Sequence, residues 1–207
     1  HEINQMDFPK ESILGILKNP VFSSLFIIIL VSSFGLQAFE SIYSIMATIN
    51  FGFTTNDIAL VITISGSLAL ICQVFLFDWI VSKLGEMRLI QLTFFVSATF
   101  IAVIAFTTSH LVVVLSTFVV FLSFDLFRPA VTTYLSKNGG NQQGAINGLN
   151  STFTSFGNIL GPLAAGSLFD LNHFYPYYVS AMILLGTGFL SLFLTNMTSK
   201  KLLLKKS

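Results

Sequence analysis

The stretch Leu111–Lys137, LVVVLSTFVVFLSFDLFRPAVTTYLSK, decides the fold class of this 207-residue chain. It begins as an apolar run, continues past one acidic and one basic residue, Asp125 and Arg128, and ends at Lys137. A helix needs about 20 predominantly apolar residues to cross the roughly 30 Å hydrocarbon core of a bilayer. We therefore expect this stretch to form a membrane-spanning helix.

The rest of the chain has the same apolar character. Hydrophobic residues make up 54% of the sequence and charged residues 9%, against about 25% charged in a typical soluble domain. Turn-forming Gly, Pro, Asn and Asp residues separate the apolar runs from one another. The pattern predicts an all-α membrane protein, a bundle of six transmembrane helices. The predicted spans are residues 21–48, 57–79, 89–108, 111–135, 144–169 and 174–196.

The positions of the basic residues predict how the spans are oriented. Nine of the ten Lys and Arg residues precede the first span, lie in every second connection, or follow the last span. They are Lys10, Lys18, Lys83, Arg88, Lys137, Lys200, Lys201, Lys205 and Lys206. Because Lys and Arg beside a span are retained on the cytoplasmic side, we expect an integral protein of the cytoplasmic membrane with both ends of this chain inside. Residues 1–20 are then a cytoplasmic linker, residues 21–196 the bundle, and residues 197–207 a Lys-rich cytoplasmic tail.

The fifth predicted span is the most polar of the six because it is rich in Gly, Ser, Thr and Asn. Gly157 and Gly161 have the GxxxG spacing that lets two helix backbones approach closely. Pro162 follows them and is expected to bend the helix. These residues predict tight packing against a neighbouring helix. The alternative is a long cytoplasmic loop, which leaves five spans and places the Lys-rich tail outside.

A weak internal repeat runs through the six spans. Glu40 lies in the first span and the string Leu76–Asp78, LFD, ends the second. Asp125 lies in the fourth span and a second LFD string, Leu168–Asp170, ends the fifth. Two three-helix units of opposite topology are the plan of many secondary transporters, so the repeat favours that class.

Three ionisable residues, Glu40, Asp125 and Arg128, lie well inside predicted spans. Each costs roughly 2.5–3.5 kcal/mol to place at a helix centre, so each is expected to face the bundle interior or water. Asp125 and Arg128 are three residues apart and can touch on one helix. Helix packing alone could account for that pair, but Glu40 has no basic partner within its own span.

The same residues predict a site for protons and cations. Two acids and one base leave the interior net negative when all are ionised, which favours a cationic guest. A carboxyl group in apolar surroundings has its charged form disfavoured, so Glu40 and Asp125 are candidate proton carriers. Tyr43, Phe121 and Phe124 lie within about one helical turn of these acids, and aromatic faces bind flat cations. Ordinary packing is the alternative for each ring, since the chain contains 23 Phe residues.

A second charged pattern lies at the inner end of the second span. Asp78, Lys83, Gly85 and Arg88 form D-x4-K-x-G-x2-R. We interpret it as a short cytoplasmic turn whose charges can latch neighbouring helix ends, with ordinary membrane-interface charges as the alternative.

Other functional classes have no support in the sequence. A net charge of +1 gives no field that would attract nucleic acid, and the single Cys72 excludes an intramolecular disulfide. The sequence contains no phosphate-binding Gly loop and no nucleophile–base pattern, and its His residues lack metal-ligand spacing. We therefore expect neither an enzyme nor a bound metal or cofactor.

Three strings resemble a known family. They are SFGLQAFE at Ser33–Glu40, FDLFRPA at Phe124–Ala130, and GLNSTFTS at Gly148–Ser155, which continues through Gly157 and Asn158 to Gly161 and Pro162. They resemble the C-terminal half of major facilitator superfamily drug/proton antiporters, in particular the NorA-type multidrug (quinolone) efflux pumps of Gram-positive bacteria. The likeness covers nearly the whole chain beyond residue 20.

The resemblance implies spans seven to twelve of a twelve-span pump. Such a pump exports lipophilic, often cationic compounds in exchange for protons, and it is driven by the proton gradient without a cofactor. The implied partners are the lipid bilayer, an N-terminal six-span half, and small lipophilic drugs or dyes. The implied site residues are Glu40 and Asp125 for proton coupling and drug recognition, Arg128 as their charge partner, and Phe121, Phe124 and Asn158 as cavity-lining residues.

Two other functions remain open at this point. The chain could belong to a facilitator-type symporter for a metabolite, although an acid-rich, Phe-lined cavity is a poor match for a sugar. It could also be a half-transporter fragment without autonomous transport. The first residue is His1 rather than Met, which is expected of part of a longer chain.

Overall fold

The computed structural model describes residues 13–204, and this part of the chain folds into helices without any β-strand. The predictions for Lys10, Lys205 and Lys206 concern residues outside that range. A π-helical turn, Cys72–Leu76, joins α3 to α4, and a 3₁₀ turn, Gly140–Gln142, precedes α7. The helices are α1 (Ile13–Lys18), α2 (Pro20–Phe51), α3 (Thr55–Ile71), α4 (Phe77–Leu84), α5 (Glu86–Phe106), α6 (His110–Asn138), α7 (Gln143–Leu171) and α8 (Tyr175–Leu204).

The predicted all-α class and its six long helical segments are confirmed, and most observed segments are longer than predicted. The second predicted span, 57–79, is one continuous helical segment from Thr55 to Leu84 because the π turn joins α3 and α4 without a break. A capping box starts this segment, since the Thr54 side chain and Asp57 bond each other's backbone N–H groups. Gly85 ends it at φ 78°, a backbone conformation that favours glycine.

The long helices pack in a curved row that runs from α7 to α3, and α7 also makes smaller contacts with α6 and α8. From one end to the other, the extensive contacts join α7 to α2, α2 to α8, α8 to α5, α5 to α6, and α6 to α3. Exchanging α2 with α6, α3 with α7, and α5 with α8 leaves this set of contacts unchanged. The packing therefore has the two-unit symmetry that the internal repeat suggested.

The two ends of the bundle differ in charge. The end at which α4 meets α5 and α6 meets α7 carries Lys83, Arg88 and Lys137, and we call it the basic end. At the opposite end, which we call the turn end, α2 meets α3, α5 meets α6, and α7 meets α8. Ion pairing holds the basic end together, since Glu86 at the start of α5 pairs with Lys137 in the last turn of α6.

The polar helix α7 packs directly along α2. A Cβ atom at Gly157 would lie 2.8 Å from the Leu30 carbonyl oxygen, and one at Gly161 would lie 2.7 Å from the Phe34 carbonyl oxygen. Nearer the basic end, Phe153 stacks on Phe26 with ring centroids 5.3 Å apart. The contacting residue numbers rise together on the two helices, so α7 and α2 run parallel. Two helices that are first and fifth in an alternating bundle must run parallel, and a cytoplasmic loop would not lie along α2 in this way.

Hydropathy alone does not reveal α7. Within the described range, five helical segments are long and apolar enough to cross a membrane: Phe22–Phe51, Thr55–Leu84, Glu86–Phe106, His110–Asn138 and Tyr175–Phe193. The segment that fails this test, α7, is 29 residues long and lies against α2. Its placement follows from backbone contact with α2, which a sum of side-chain hydropathies does not register.

Replacing Gly157 or Gly161 with Ala should destabilise the bundle. The added methyl group would meet backbone atoms of α2 that cannot move aside, and overpacking of this kind costs about 1–3 kcal/mol. The measurement is the midpoint of thermal unfolding in detergent, followed by circular dichroism. Gly166→Ala is the matched control on the same helix, because nothing lies within 4 Å of the position that its methyl group would take. An unchanged midpoint for Gly161→Ala would contradict the close α2–α7 contact.

Candidate functional site

An ion pair joins the two helices at the centre of the site. Arg128 on α6 places a guanidinium nitrogen (NH2) 3.7 Å from Glu40 Oε1 on α2. The Glu40 side chain is 25% exposed and the Arg128 side chain 58% exposed, so the pair lies at the edge of the bundle interior. Gln37 lies one turn before Glu40 on α2 and interacts with the Glu40 carboxylate. The Glu40 carboxylate therefore has polar neighbours on both α2 and α6.

Asp125 completes a group of three charges. It interacts electrostatically with Arg128 on its own helix and with Glu40 on α2. The sequence suggested Asp125 as the contact of Arg128, but among the described residues the ion pair of Arg128 at 4.0 Å or less is with Glu40. With all three groups ionised, the cluster carries one uncompensated negative charge.

An aromatic cluster lies on the turn-end side of the ion pair. Phe39 contacts the rings of Tyr43, Phe121, Phe124 and Tyr177, with centroid distances of 5.1–6.1 Å. Tyr43 is 1% and Phe124 2% exposed, whereas Phe121 is half-buried. The sequence proposed substrate contact for Tyr43, Phe121 and Phe124. In this arrangement Phe121 is the most exposed ring of the three. The buried Tyr43 ring packs edge-on against Phe121, and the buried Phe124 ring contacts Phe39.

The buried hydroxyl of Tyr43 lacks, within the described range, the hydrogen bond that a buried polar group normally makes. It lies near Thr117 but makes no hydrogen bond of ordinary geometry with any described residue. Buried polar groups are nearly always bonded to protein or to ordered water. Tyr43 is three residues from Glu40 on α2, so the two side chains leave the helix about one turn apart.

A cavity of about 200 Å³, which we call the polar cavity after the polar residues in its lining, lies on the basic-end side of the ion pair. Three helices, α2, α6 and α7, form its wall, and Arg128 links it to Glu40. Its polar lining consists of Ser33, Arg128, Thr132, Asn150, Ser151, Thr154 and Asn158. The cavity thus contains Asn158, which the sequence proposed as a lining residue.

Two prolines add hydrogen-bond acceptors around the site. Pro129 lies inside α6 and Pro162 inside α7. Proline has no N–H, so the carbonyl four residues earlier loses its helical donor. Those carbonyls belong to Asp125 and Asn158, two of the proposed site residues. Each position therefore presents a backbone acceptor as well as its side chain.

In the described part of the chain, the charges of the D-x4-K-x-G-x2-R turn do not form the predicted latch between neighbouring helix ends. Asp78, Lys83 and Arg88 are exposed, and none of them forms an ion pair with another described residue. Gly85 supplies the positive-φ turn between α4 and α5. The latch between neighbouring helix ends is formed instead by Glu86 and Lys137, a pair that the sequence pattern did not single out.

Most of the α7 residues that line the polar cavity were not predicted from the sequence as site residues. Asn150, Thr154 and Asn158 recur every four residues, a spacing that places side chains on one face of a helix. Of the three, Asn158 alone was proposed as a site residue. The signal was present as a polar stripe, but nothing local indicated that it faces α2 and α6.

The chain belongs to the Major Facilitator Superfamily, whose sequence profile matches residues 13–206. Among curated relatives, Multidrug resistance protein 2 of Bacillus subtilis is 47% identical over 167 residues, covering 81% of this chain and 42% of that protein. Multidrug resistance protein 1 of the same organism is 44% identical, covering 80% of this chain and 42% of that protein. Quinolone resistance protein NorA of Staphylococcus aureus is 39% identical, covering 77% of this chain and 41% of that protein. The chain thus spans about two fifths of the length of these relatives.

A solved structure supports the fold independently. The human organic anion transporter MFSD10 (TETRAN) superposes with a TM-score of 0.76 at 15% sequence identity. The match covers 86% of this chain and 44% of that transporter. The described helices therefore have the fold of about half of that transporter. Membrane-length helices together with membership of the superfamily make the chain part of an integral membrane protein.

The ion pair between Glu40 and Arg128 should be measurable as an energetic coupling. We expect Glu40→Gln and Arg128→Gln to be non-additive, with a coupling of about 0.2–1 kcal/mol, because both side chains are partly exposed. The measurement is a double-mutant cycle of unfolding free energies in detergent. The cycle of Glu40→Gln with Lys83→Gln is the control and should be additive, since Lys83 has no ion-pair partner among the described residues. Equal coupling in the two cycles would refute the pair.

Proposed function

We propose that this chain is the C-terminal half of a proton-driven multidrug exporter. The observation that carries the proposal is the Glu40–Arg128 ion pair, which lies between an aromatic cluster and a polar cavity. The similarity to two Bacillus multidrug resistance proteins and to the quinolone resistance protein NorA supports the choice of substrate class. The proposed substrates are lipophilic, often cationic compounds.

Competition for the same negative charges would couple export to protons. A cationic drug compensates the excess charge of Glu40, Asp125 and Arg128, and so does a proton on either carboxylate. Two ligands that neutralise one site weaken each other's binding by the same factor. Proton uptake would therefore release the drug, and proton loss would restore the affinity for the next one.

The proposed roles of the surrounding residues follow from their positions. A drug entering from the polar cavity would pass Asn158 and Arg128 before it reaches Glu40. The exposed face of Phe121 would then contact its flat ring system. Protonation of Glu40 would also free Arg128, which removes the ion pair holding α2 to α6. This loss would let the two helices separate as the site changes the side to which it opens.

Export of this kind requires the basic end to face the cytoplasm. The excess of Lys and Arg at that end supports the assignment. In this orientation the polar cavity lies on the cytoplasmic side of Glu40, where a drug to be exported would enter. At 1.5 Å per residue, Glu40 lies about 17 Å along α2 from the turn end.

Removing either carboxylate should abolish proton-dependent export. We expect Glu40→Gln and Asp125→Asn each to reduce ethidium efflux from energised cells to the level seen with a protonophore, without changing the amount of protein in the membrane. The experiment expresses the complete reading frame that contains this chain. Asp170→Asn, which removes an exposed carboxylate at the turn end, is the control and should export normally. Normal efflux by Glu40→Gln would remove Glu40 from the mechanism, and protonophore-insensitive efflux by the unmodified protein would overturn the antiport proposal.

The orientation can be tested by cysteine labelling. Cys72, the single cysteine of this chain, and any cysteine in the rest of the reading frame are first replaced by Ser. One new cysteine is then placed at either end: Lys83→Cys at the basic end or Ser109→Cys at the turn end. Both positions are exposed. We expect a membrane-impermeant maleimide added to intact cells to label Ser109→Cys, and to label Lys83→Cys after the cells are permeabilised. The reverse pattern would invert the proposed topology and its direction of export.

A further inference from the structure

A second cavity, of about 480 Å³, opens at the basic end between α5, α6 and α8. We call it the basal crevice, and its polar lining includes Glu86, Arg88 and Gln91 of α5, Tyr134 of α6 and Thr195 of α8. It shares no lining residue with the cavity between α2, α6 and α7. The proposed drug and proton site therefore leaves the basal crevice unexplained.

The charges of the basal crevice favour an anion. Glu86 is neutralised by Lys137, with which it forms an ion pair across α5 and α6. Arg88 has neither an ion pair nor a hydrogen bond with any described residue, so its positive charge is uncompensated. Its guanidinium carries five N–H donors in a geometry that matches phosphate oxygens. One positive charge thus remains when the three groups are counted together.

Two further features add to this preference. The first turn of α5 begins at Gly85, which lines the crevice, so the positive end of this helix dipole lies at the crevice. The Tyr134 hydroxyl also lines the crevice and makes no hydrogen bond with a described residue. Both features belong to the lining of the same crevice as Arg88.

An apolar path leads from the basal crevice toward the middle of the bundle. Leu192 lines the crevice and is exposed. Phe189, which is 63% exposed, lies one turn before Leu192 on α8, toward the middle of the bundle. Phe189 contacts Phe95 of α5 with ring centroids 5.2 Å apart, so this path follows the seam between the two helices. A charged pocket with hydrogen-bond donors that continues into an exposed apolar seam matches the two parts of a phospholipid.

We propose that the basal crevice binds the phosphate headgroup of an anionic phospholipid, with an acyl chain along the α5–α8 seam. Basic pockets between transmembrane helices are known binding sites for anionic headgroups. The uncompensated charge of Arg88 selects a lipid with net negative charge over a zwitterionic one. The apolar seam distinguishes a lipid from free phosphate.

The test is native mass spectrometry of the full-length protein, titrated with phosphatidylglycerol in detergent. We expect one retained lipid, weaker retention of phosphatidylcholine, and no displacement by millimolar inorganic phosphate. Arg88→Gln should weaken phosphatidylglycerol binding about fivefold, the effect of one basic residue near an anionic lipid. Lys83→Gln, which removes an exposed charge at the same end outside the crevice, should leave binding unchanged.

Several outcomes would overturn the proposal. Equal retention of phosphatidylglycerol and phosphatidylcholine would show that charge does not select the ligand, and displacement by inorganic phosphate would assign the site to a free anion. Equal losses in Arg88→Gln and Lys83→Gln would show a diffuse surface attraction. Should Arg88→Gln fail to fold, Tyr134→Phe keeps the ring and removes one donor, and unchanged binding by that variant would count against the crevice. None of these measurements depends on transport, so they stand apart from the efflux experiments.

Discussion

The ion pair between Glu40 and Arg128 is the interaction on which the arrangement of the site depends. Charges within an apolar bundle are costly unless they face a partner or water, and here each supplies the other's partner from a different helix. The pair and the aromatic contacts made by Phe39 bring α2 and α6 together through side chains. A proton or a competing cation at Glu40 would therefore change how two helices are held, as well as the charge of the cavity.

The polar cavity depends on a different constraint, the close approach of α7 to α2. Gly157 and Gly161 leave no room for a methyl group against the α2 backbone, and this proximity turns the stripe formed by Asn150, Thr154 and Asn158 toward Arg128. Small residues allow a polar helix to pack tightly without a hydrophobic driving force. The Gly, Ser, Thr and Asn residues of α7 lower its hydropathy below that of a typical membrane-spanning helix. The same residues make α7 suitable for lining a polar cavity.

The symmetry of the bundle explains why its two sides have different uses. The first helices of the two three-helix units, α2 and α6, carry the ionisable residues of the site. The third helices, α5 and α8, contact each other and, together with Tyr134 of α6, line the basal crevice. The second helices, α3 and α7, lie at the ends of the row. Drug handling at α2, α6 and α7 and lipid binding at α5 and α8 would then use separate surfaces of one fold.

The sequence by itself determined the class of protein, the number of long helices and the identity of the intramembrane charges. These properties are local, since runs of apolar residues, turn residues and the spacing of Lys and Arg are read within about 20 to 30 positions. The GxxxG spacing likewise indicated close packing at Gly157 and Gly161, although it did not name α2 as the neighbour.

Only the tertiary structure decided which residues meet. Arg128 pairs with Glu40, 88 positions away in the chain, rather than with Asp125 three positions away. Tyr43 packs against Phe121 whereas Phe124 contacts Phe39, and Glu86 rather than Asp78 forms the latch at the basic end. The physical reason is the same in each case: a partner on another helix is set by how far each helix is rotated about its axis and by which helices are neighbours. Those quantities follow from the packing of the whole bundle, and no local pattern encodes them.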